Sequence, residues 1–132
     1  MELDDEMMKR IHIEISVPYP WLLPKCSMML SHGGSGVVHS TLRAGIPAVI
    51  SPFMADQYSW ALLLEEMGIG VQAGSHLSSI TVDDIVDGIE RARTGVCQDA
   101  AKRIGEAIRS RPNGTTVLVE LLEEKFVQQE II

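Results

Sequence analysis

The segment from Ser27 to Val71 reads as a strand, a turn and a helix followed by the same unit again, and this alternation leaves few folds open. Ser27-Met-Met-Leu-Ser31 is a short apolar run of the kind that fills a strand buried on both faces of a parallel sheet. Gly33, Gly34 and Gly36 then predict a tight loop, and Val37, Val38, Thr41 and Leu42 supply one stripe of a short helix that stops at Gly45. Pro47 to Ser51 reads as a second buried strand, closed by Pro52. Trp60, Leu63, Leu64 and Met67 mark one face of a helix ended by Gly68, and Ile69 to Val71 predicts a brief third strand. Parallel strands need crossover connections, which these helices provide, so the fold class is α/β with a parallel sheet.

Upstream, Ile11, Ile13, Ile15 and Val17 alternate with His12, Glu14 and Ser16, which predicts an edge strand with one wetter face. Pro18 and Pro20 end it, and Trp21 to Cys26 predicts one helical turn. Beyond Gly74 the pattern is helical. Thr81 is an N-cap with Asp84 three residues on as a capping box and Ile80 to Ile85 as a hydrophobic staple, and Val82, Ile85, Val86 and Ile89 form the buried stripe. A second helix carries Ala101, Ile104, Ala107 and Ile108 and ends before Pro112, and a third holds Leu118, Leu122 and Phe126 in register. The 132 residues, 45% hydrophobic and 22% charged, suit one ordinary domain. Its expected limits are residues 11–126, preceded by an acidic extension (1–10) and followed by a short tail (127–132).

The net charge of −7, without any Lys/Arg-rich run, argues against a nucleic-acid partner. No apolar stretch reaches the roughly 20 residues that span a bilayer, so neither an integral membrane segment nor a signal peptide is expected. Cys26 and Cys97 belong to no CxxC or Cys/His cluster, which fits a reduced, cytoplasmic protein without structural zinc.

Candidate chemistry lies where the first strand meets the glycine loop, because open α/β sheets bind ligands at the carboxyl ends of their strands. In His32-Gly-Gly-Ser-Gly36 the glycines admit close approach of a phosphate, and the free N–H groups and dipole of the following helix favour an anion. No Lys-Ser/Thr follows and the spacing is not GxGxxG, so neither a P-loop ATPase nor a dinucleotide fold is supported. His32 has two readings at this point: a hydrogen-bond donor to phosphate, or a buried turn histidine bonded to backbone. His39 reads as a helix-surface residue. Asp56 and Gln57, at the mouth of the same sheet, offer an acceptor and an amide for sugar hydroxyls, against the plainer role of Asp56 as a helix cap.

The run Pro20-Trp-Leu-Leu-Pro-Lys-Cys-Ser27, followed by SHGGSGVVHSTLRAGIPAVISPFMADQYSWALLLEEMGIGV, resembles the carboxyl-terminal lobe of family 1 glycosyltransferases, sterol and antibiotic glycosyltransferases most closely. The likeness spans residues 11 to 126 and rests on HGGxG, RAGIPxVxxPFxxDQ and the later GIG in the family's order. It implies a GT-B architecture, here an incomplete Rossmann-like parallel sheet with flanking helices and a helical carboxyl-terminal tail. His32 and the backbone of Ser35, Gly36 and Val37 would hold the diphosphate of a UDP-sugar, Asp56 and Gln57 the sugar, and Ser16, Val17 and Ser40 would lie near nucleobase and ribose. Trp21 is read as packing, since it does not occupy the stacking position. Val37 stands where relatives carry Thr or Ser, and Ser40 where many carry a ribose-binding glutamate. The UDP-sugar is a substrate, and neither a further cofactor nor a metal is implied. The family's acceptor pocket and catalytic-base histidine belong to an amino-terminal lobe, so none of the four histidines here is nominated as that base and the chain alone is expected to be inactive. The implied reaction is transfer of a hexosyl group, glucose by likeness, to a hydroxyl of a sterol, lipid or small molecule, with peripheral membrane association a corollary. Two strands of the lobe have no counterpart, which predicts an open edge and a partner: an acceptor-lobe protein or self-association. The rival readings are a donor-binding subunit of a two-chain N-acetylglucosaminyltransferase, and a non-catalytic truncated remnant that self-associates.

Overall fold

The computed structural model describes residues 4–129, with side chains through 126; the first three residues of the expected extension and the last three of the expected tail lie outside the described residues. Two single-turn helices come first, α1 (Asp5–Met8) and α2 (Tyr19–Leu22). The sheet unit follows as β1 (Met29–Ser31), α3 (Ser35–Ala44), β2 (Ala48–Ile50), α4 (Gln57–Glu66) and β3 (Gly70–Gln72). Three longer helices complete the chain: α5 (Val82–Ala92), α6 (Gly95–Arg109) and α7 (Gly114–Gln129).

The three strands pair in the order β1-β2-β3, all parallel, with Leu30 beside Val49 and Val49 beside Val71. One face is packed by Val38 of α3, Ala61 and Leu64 of α4 and Ala101 of α6 over Ala48 and Ile50. The other is packed by Ala92 of α5 with Ala73 and Ile80 over Val49 and Val71. This is the incomplete Rossmann-like sheet with flanking helices and a helical tail that the sequence predicts. Coverage is uneven. Val49 is fully buried whereas its register partner Leu30 is 45% exposed, so the second face lies open along β1.

The edge strand expected over Ile11 to Val17 does not form. The stretch is irregular, with Ile13 and Ile15 exposed and His12 Nε2 2.8 Å from Glu14 Oε1. A strand is held by ladder hydrogen bonds to a neighbour, and among the described residues none lies beside this segment; alternation alone cannot supply them. Trp21 departs from expectation too. It is 61% exposed rather than packed, and the Lys25 ammonium sits 3.5 Å from its ring centroid, a cation–π contact at the surface. Leu23, in the 3-10 turn Leu23–Lys25 after α2, is the residue of this stretch that reaches the core.

Two helix ends explain how the layers lock. Gly45 closes α3 in the left-handed conformation (φ 77°), its N–H bonding Thr41 and Leu42 carbonyls. Gly105 of α6 lies directly against it: a Cβ there would fall 2.5 Å from Gly45 Cα. Arg109 Nη1 then donates to Arg43 O at 2.6 Å, placing a cation at the carboxyl end of α3. At α5 the expected capping box is present, with Asp84 N–H bonding Thr81 Oγ1 at 3.1 Å and Thr81 N–H bonding Asp84 Oδ2 at 2.8 Å. Asp84 is held below the ordinary carboxylate range by its hydrogen bonds from the Thr81 side chain and backbone.

Gly105→Ala is expected to destabilise the fold by about 2–4 kcal/mol, because backbone rather than a movable side chain blocks the methyl. Gly95→Ala, with no atom within 4 Å of its Cβ, should stay within about 0.5 kcal/mol of the parent. Urea denaturation of the two variants checks the contrast. Thr81→Ala should cost about 1 kcal/mol at neutral pH. A carboxylate lowered on folding stabilises above its unfolded value and loses that contribution as pH falls through the folded one. The gap between Thr81→Ala and parent should therefore narrow in denaturation curves taken below the ordinary aspartate range.

Candidate functional site at the carboxyl end of the sheet

The glycine loop is fixed by what lies beneath it. Gly33 has φ 84°, and a Cβ there would fall 2.6 Å from Ile50 Cγ2 of β2, so both conformation and space demand glycine. Its N–H bonds Ser31 Oγ at 3.2 Å. Gly34 takes the N-cap position of α3 with no side-chain cap, and a Cβ on it would fall 2.6 Å from His32 Nε2. The imidazole therefore lies back over the start of the helix. The first α3 amide to bond back is Val38 N–H, to Gly34 O at 3.0 Å. The N–H groups of Ser35, Gly36 and Val37 have no acceptor among the described residues, as the first turn of a helix requires. Gly36 has nothing outside its own helix within 4 Å of its Cβ position.

His32 is exposed, its ring 5.7 Å from Phe53, with no hydrogen bond to either nitrogen among the described residues. The buried-turn alternative does not hold.

The second loop joins β2 to α4. Gln57 is only 6% exposed, and its Oε1 accepts from Phe53 N–H at 2.9 Å and Met54 N–H at 3.2 Å. The amide oxygen is thus spent on shaping the loop, which leaves the Nε2 group for any ligand. Ala55 adopts φ 52°, a left-handed position for a non-glycine residue immediately before Asp56. Asp56 occupies the N-cap position of α4 yet makes no cap hydrogen bond. Its Oδ2 accepts instead from Trp60 Nε1 at 3.0 Å. The helix-cap role weighed for Asp56 is therefore not what its carboxylate does.

The two loops meet. The Cβ position of Gly33 lies 3.5 Å from Gln57 O, and His32 packs near Phe53, so His32, the start of α3 and the start of α4 share one rim. Ser40 lies one turn further along α3, its hydroxyl donating to Gly36 O at 2.8 Å, and it lines a cavity of about 200 Å³ with Tyr19, Arg43 and Arg109. Ser16 and Val17 line a separate hollow of about 570 Å³, open to solvent, with Tyr19 and Leu22. Tyr19, which the likeness also puts near the nucleobase, borders both. The bond from Trp60 to Asp56 escaped the sequence reading, although the four-residue spacing on a helix was its available signal.

Among the described residues, no cluster of three His, Cys, Asp or Glu side chains is placed to hold a metal ion, and no helix is long and apolar enough to cross a membrane.

The chain has relatives among known proteins. The chain is 33% identical over 122 residues to a sterol 3-beta-glucosyltransferase of Komagataella phaffii, covering 92% of the chain and 10% of that protein. It is 29% identical over 132 residues to the sterol 3-beta-glucosyltransferase of Candida albicans, covering 99% and 8% respectively. The chain thus spans about a tenth of the length of these relatives. Among solved structures, the spinosyn rhamnosyltransferase SpnG complexed with thymidine diphosphate superposes with a TM-score of 0.72 at 27% identity, over 81% of this chain and 29% of that one. The family model of the erythromycin biosynthesis protein CIII-like C-terminal domain matches residues 5–124. That match covers nearly the whole chain, and the chain belongs to that family, the nucleotide-sugar-binding carboxyl-terminal lobe of GT-B glycosyltransferases.

Proposed function

We propose that the chain binds a UDP-sugar and serves as the donor half of a hexosyltransferase whose acceptor is a hydroxyl of a sterol, lipid or small molecule. The observation that carries this reading is the uncapped start of α3, with His32 folded over it and Asp56 on the same rim. The diphosphate would lie on the Ser35, Gly36 and Val37 N–H groups, with the His32 imidazole donating to a phosphate oxygen. Asp56 and the Gln57 Nε2 group would take sugar hydroxyls, and the nucleoside would run along α3 past Ser40 toward Tyr19, Ser16 and Val17. In the transfer, the acceptor oxygen attacks the anomeric carbon while the bond to the phosphate oxygen breaks, with inversion, and UDP leaves. Charge develops on the leaving diphosphate, where preorganised N–H donors are worth most. The proton of the acceptor hydroxyl passes to a base that belongs to the acceptor lobe rather than to these residues, so the chain alone binds donor without turning it over. The sterol 3-beta-glucosyltransferase relatives support glucose as the hexose.

Calorimetric titration of UDP and UDP-glucose tests this. Binding of both is expected, with His32→Ala lowering both affinities about tenfold and Asp56→Ala removing only the extra affinity of UDP-glucose over UDP. A well-folded chain that binds neither ligand would count against a donor site and favour a remnant.

The open face along β1 favours a second element of the reading, a protein partner. Leu30 is exposed on an edge strand whose outer side pairs with no other strand among the described residues, an arrangement that invites pairing or cover. In the absence of an acceptor-lobe chain we expect self-association through this edge. Sedimentation equilibrium should show mass rising with concentration, and Leu30→Glu should hold the chain monomeric without lowering UDP affinity.

A further inference from the structure

We propose that Trp60 is a positioning residue for Asp56: its indole N–H holds one carboxylate oxygen so that the other is presented to a sugar hydroxyl, with His39 steadying the indole from α3. The inference rests on the donor-site reading above and adds to it residues whose sequence pattern gave them other work.

The carboxylate of Asp56 is exposed and makes no bond to the helix start on which it sits. What restrains it is the bond from Trp60 Nε1 to Oδ2, at 3.0 Å, one helical turn along α4. That donor is carried on a rigid support. Trp60 is half-buried, and its side chain packs against the core cluster on the α3 and α4 face of the sheet. On another side the His39 ring of α3 meets it edge-on, with centroids 5.2 Å apart and planes at 78°. Packing of this kind needs a ring but not an N–H, since a phenylalanine would fill much of the same space. The indole N–H is the group of Trp60 that the core does not use, and it is the group that reaches Asp56.

The chemistry explains why such a hold matters. An unrestrained aspartate at an exposed position samples several rotamers, and ordering it on binding subtracts from the strength of its contact with a ligand. With Oδ2 already engaged, Oδ1 retains both lone pairs and a set direction, which suits recognition of a hydroxyl donor. The His39–Trp60 contact also links the helix that carries the free N–H groups to the helix that carries Asp56. The two halves of the rim are thereby kept at a fixed separation.

The test uses the 132-residue chain with Trp60→Phe, Asp56→Asn and the double variant, each titrated with UDP and with UDP-glucose and followed by thermal unfolding. Trp60→Phe should leave UDP affinity within about twofold while lowering UDP-glucose affinity roughly three- to tenfold. In the double variant it should add nothing to the loss from Asp56→Asn. Separately, without ligand, hydrogen exchange of the Trp60 indole N–H followed by NMR should speed up in Asp56→Ala, which leaves the ring in place. A Trp60→Phe chain that keeps the full UDP-glucose preference, or that loses UDP and UDP-glucose equally, overturns the proposal. Indole exchange unchanged by Asp56→Ala overturns the hold itself, even if Trp60→Phe fails to fold. If the parent chain binds no UDP, the donor-site reading falls and the sugar contact with it, while the exchange measurement still decides whether Trp60 restrains Asp56.

Discussion

The approach of Gly33 to Ile50 is the constraint on which the rest of the rim depends. β1 must turn directly over the end of β2, and the gap is too small for any side chain. A residue with a Cβ would push the loop outward and move the start of α3 with it. Because the first amides of α3 are the groups proposed to hold the diphosphate, their placement follows from a steric fact in the sheet rather than from anything in the loop itself. The next residue, Gly34, acts in a related way by leaving room for the His32 imidazole where a side chain would otherwise stand.

The second loop is built by a different device. Its backbone is drawn around one buried amide: Gln57 Oε1 accepts the successive N–H groups of Phe53 and Met54. A polar group with so little access to water must be satisfied from within, and the loop does so at the cost of a left-handed alanine at position 55. Gln57 is therefore first a structural residue, with only its amino group left to face a ligand. Asp56 is the reverse case, exposed, with its carboxylate held by the Trp60 indole N–H and its carbonyl by the Trp60 amide.

Much of this was legible in the sequence. Each of the three strands, the stop glycines at 45 and 68, the Thr81 and Asp84 capping box and the long helices follow from period, punctuation and cap chemistry, which are local properties. The failures share a cause. Ile11 to Val17 has the alternation of a strand, but a strand also needs a partner, and pairing is not encoded in the strand's own residues. Trp21 has the composition of a core residue, yet the body turns elsewhere and Lys25 covers its ring instead. In the candidate site, the sequence nominates residues but does not show how they are held. The two bonds accepted by Gln57 and the one given by Trp60 depend on side-chain rotamers that spacing permits but does not dictate.

The contact between Arg109 and the end of α3 bears on how the protein acquires its shape. Arg43 and Arg109 are 66 positions apart, and contacts of that separation form late because the intervening chain must first be brought round. During synthesis, α3 can coil and β1 can meet β2 well before α6 has been made. The helix is locked at its far end only once Gly105 seats against Gly45 and Arg109 reaches the Arg43 carbonyl. A chain emerging amino end first therefore carries the turn proposed to hold the diphosphate on an unanchored helix until α6 has left the ribosome.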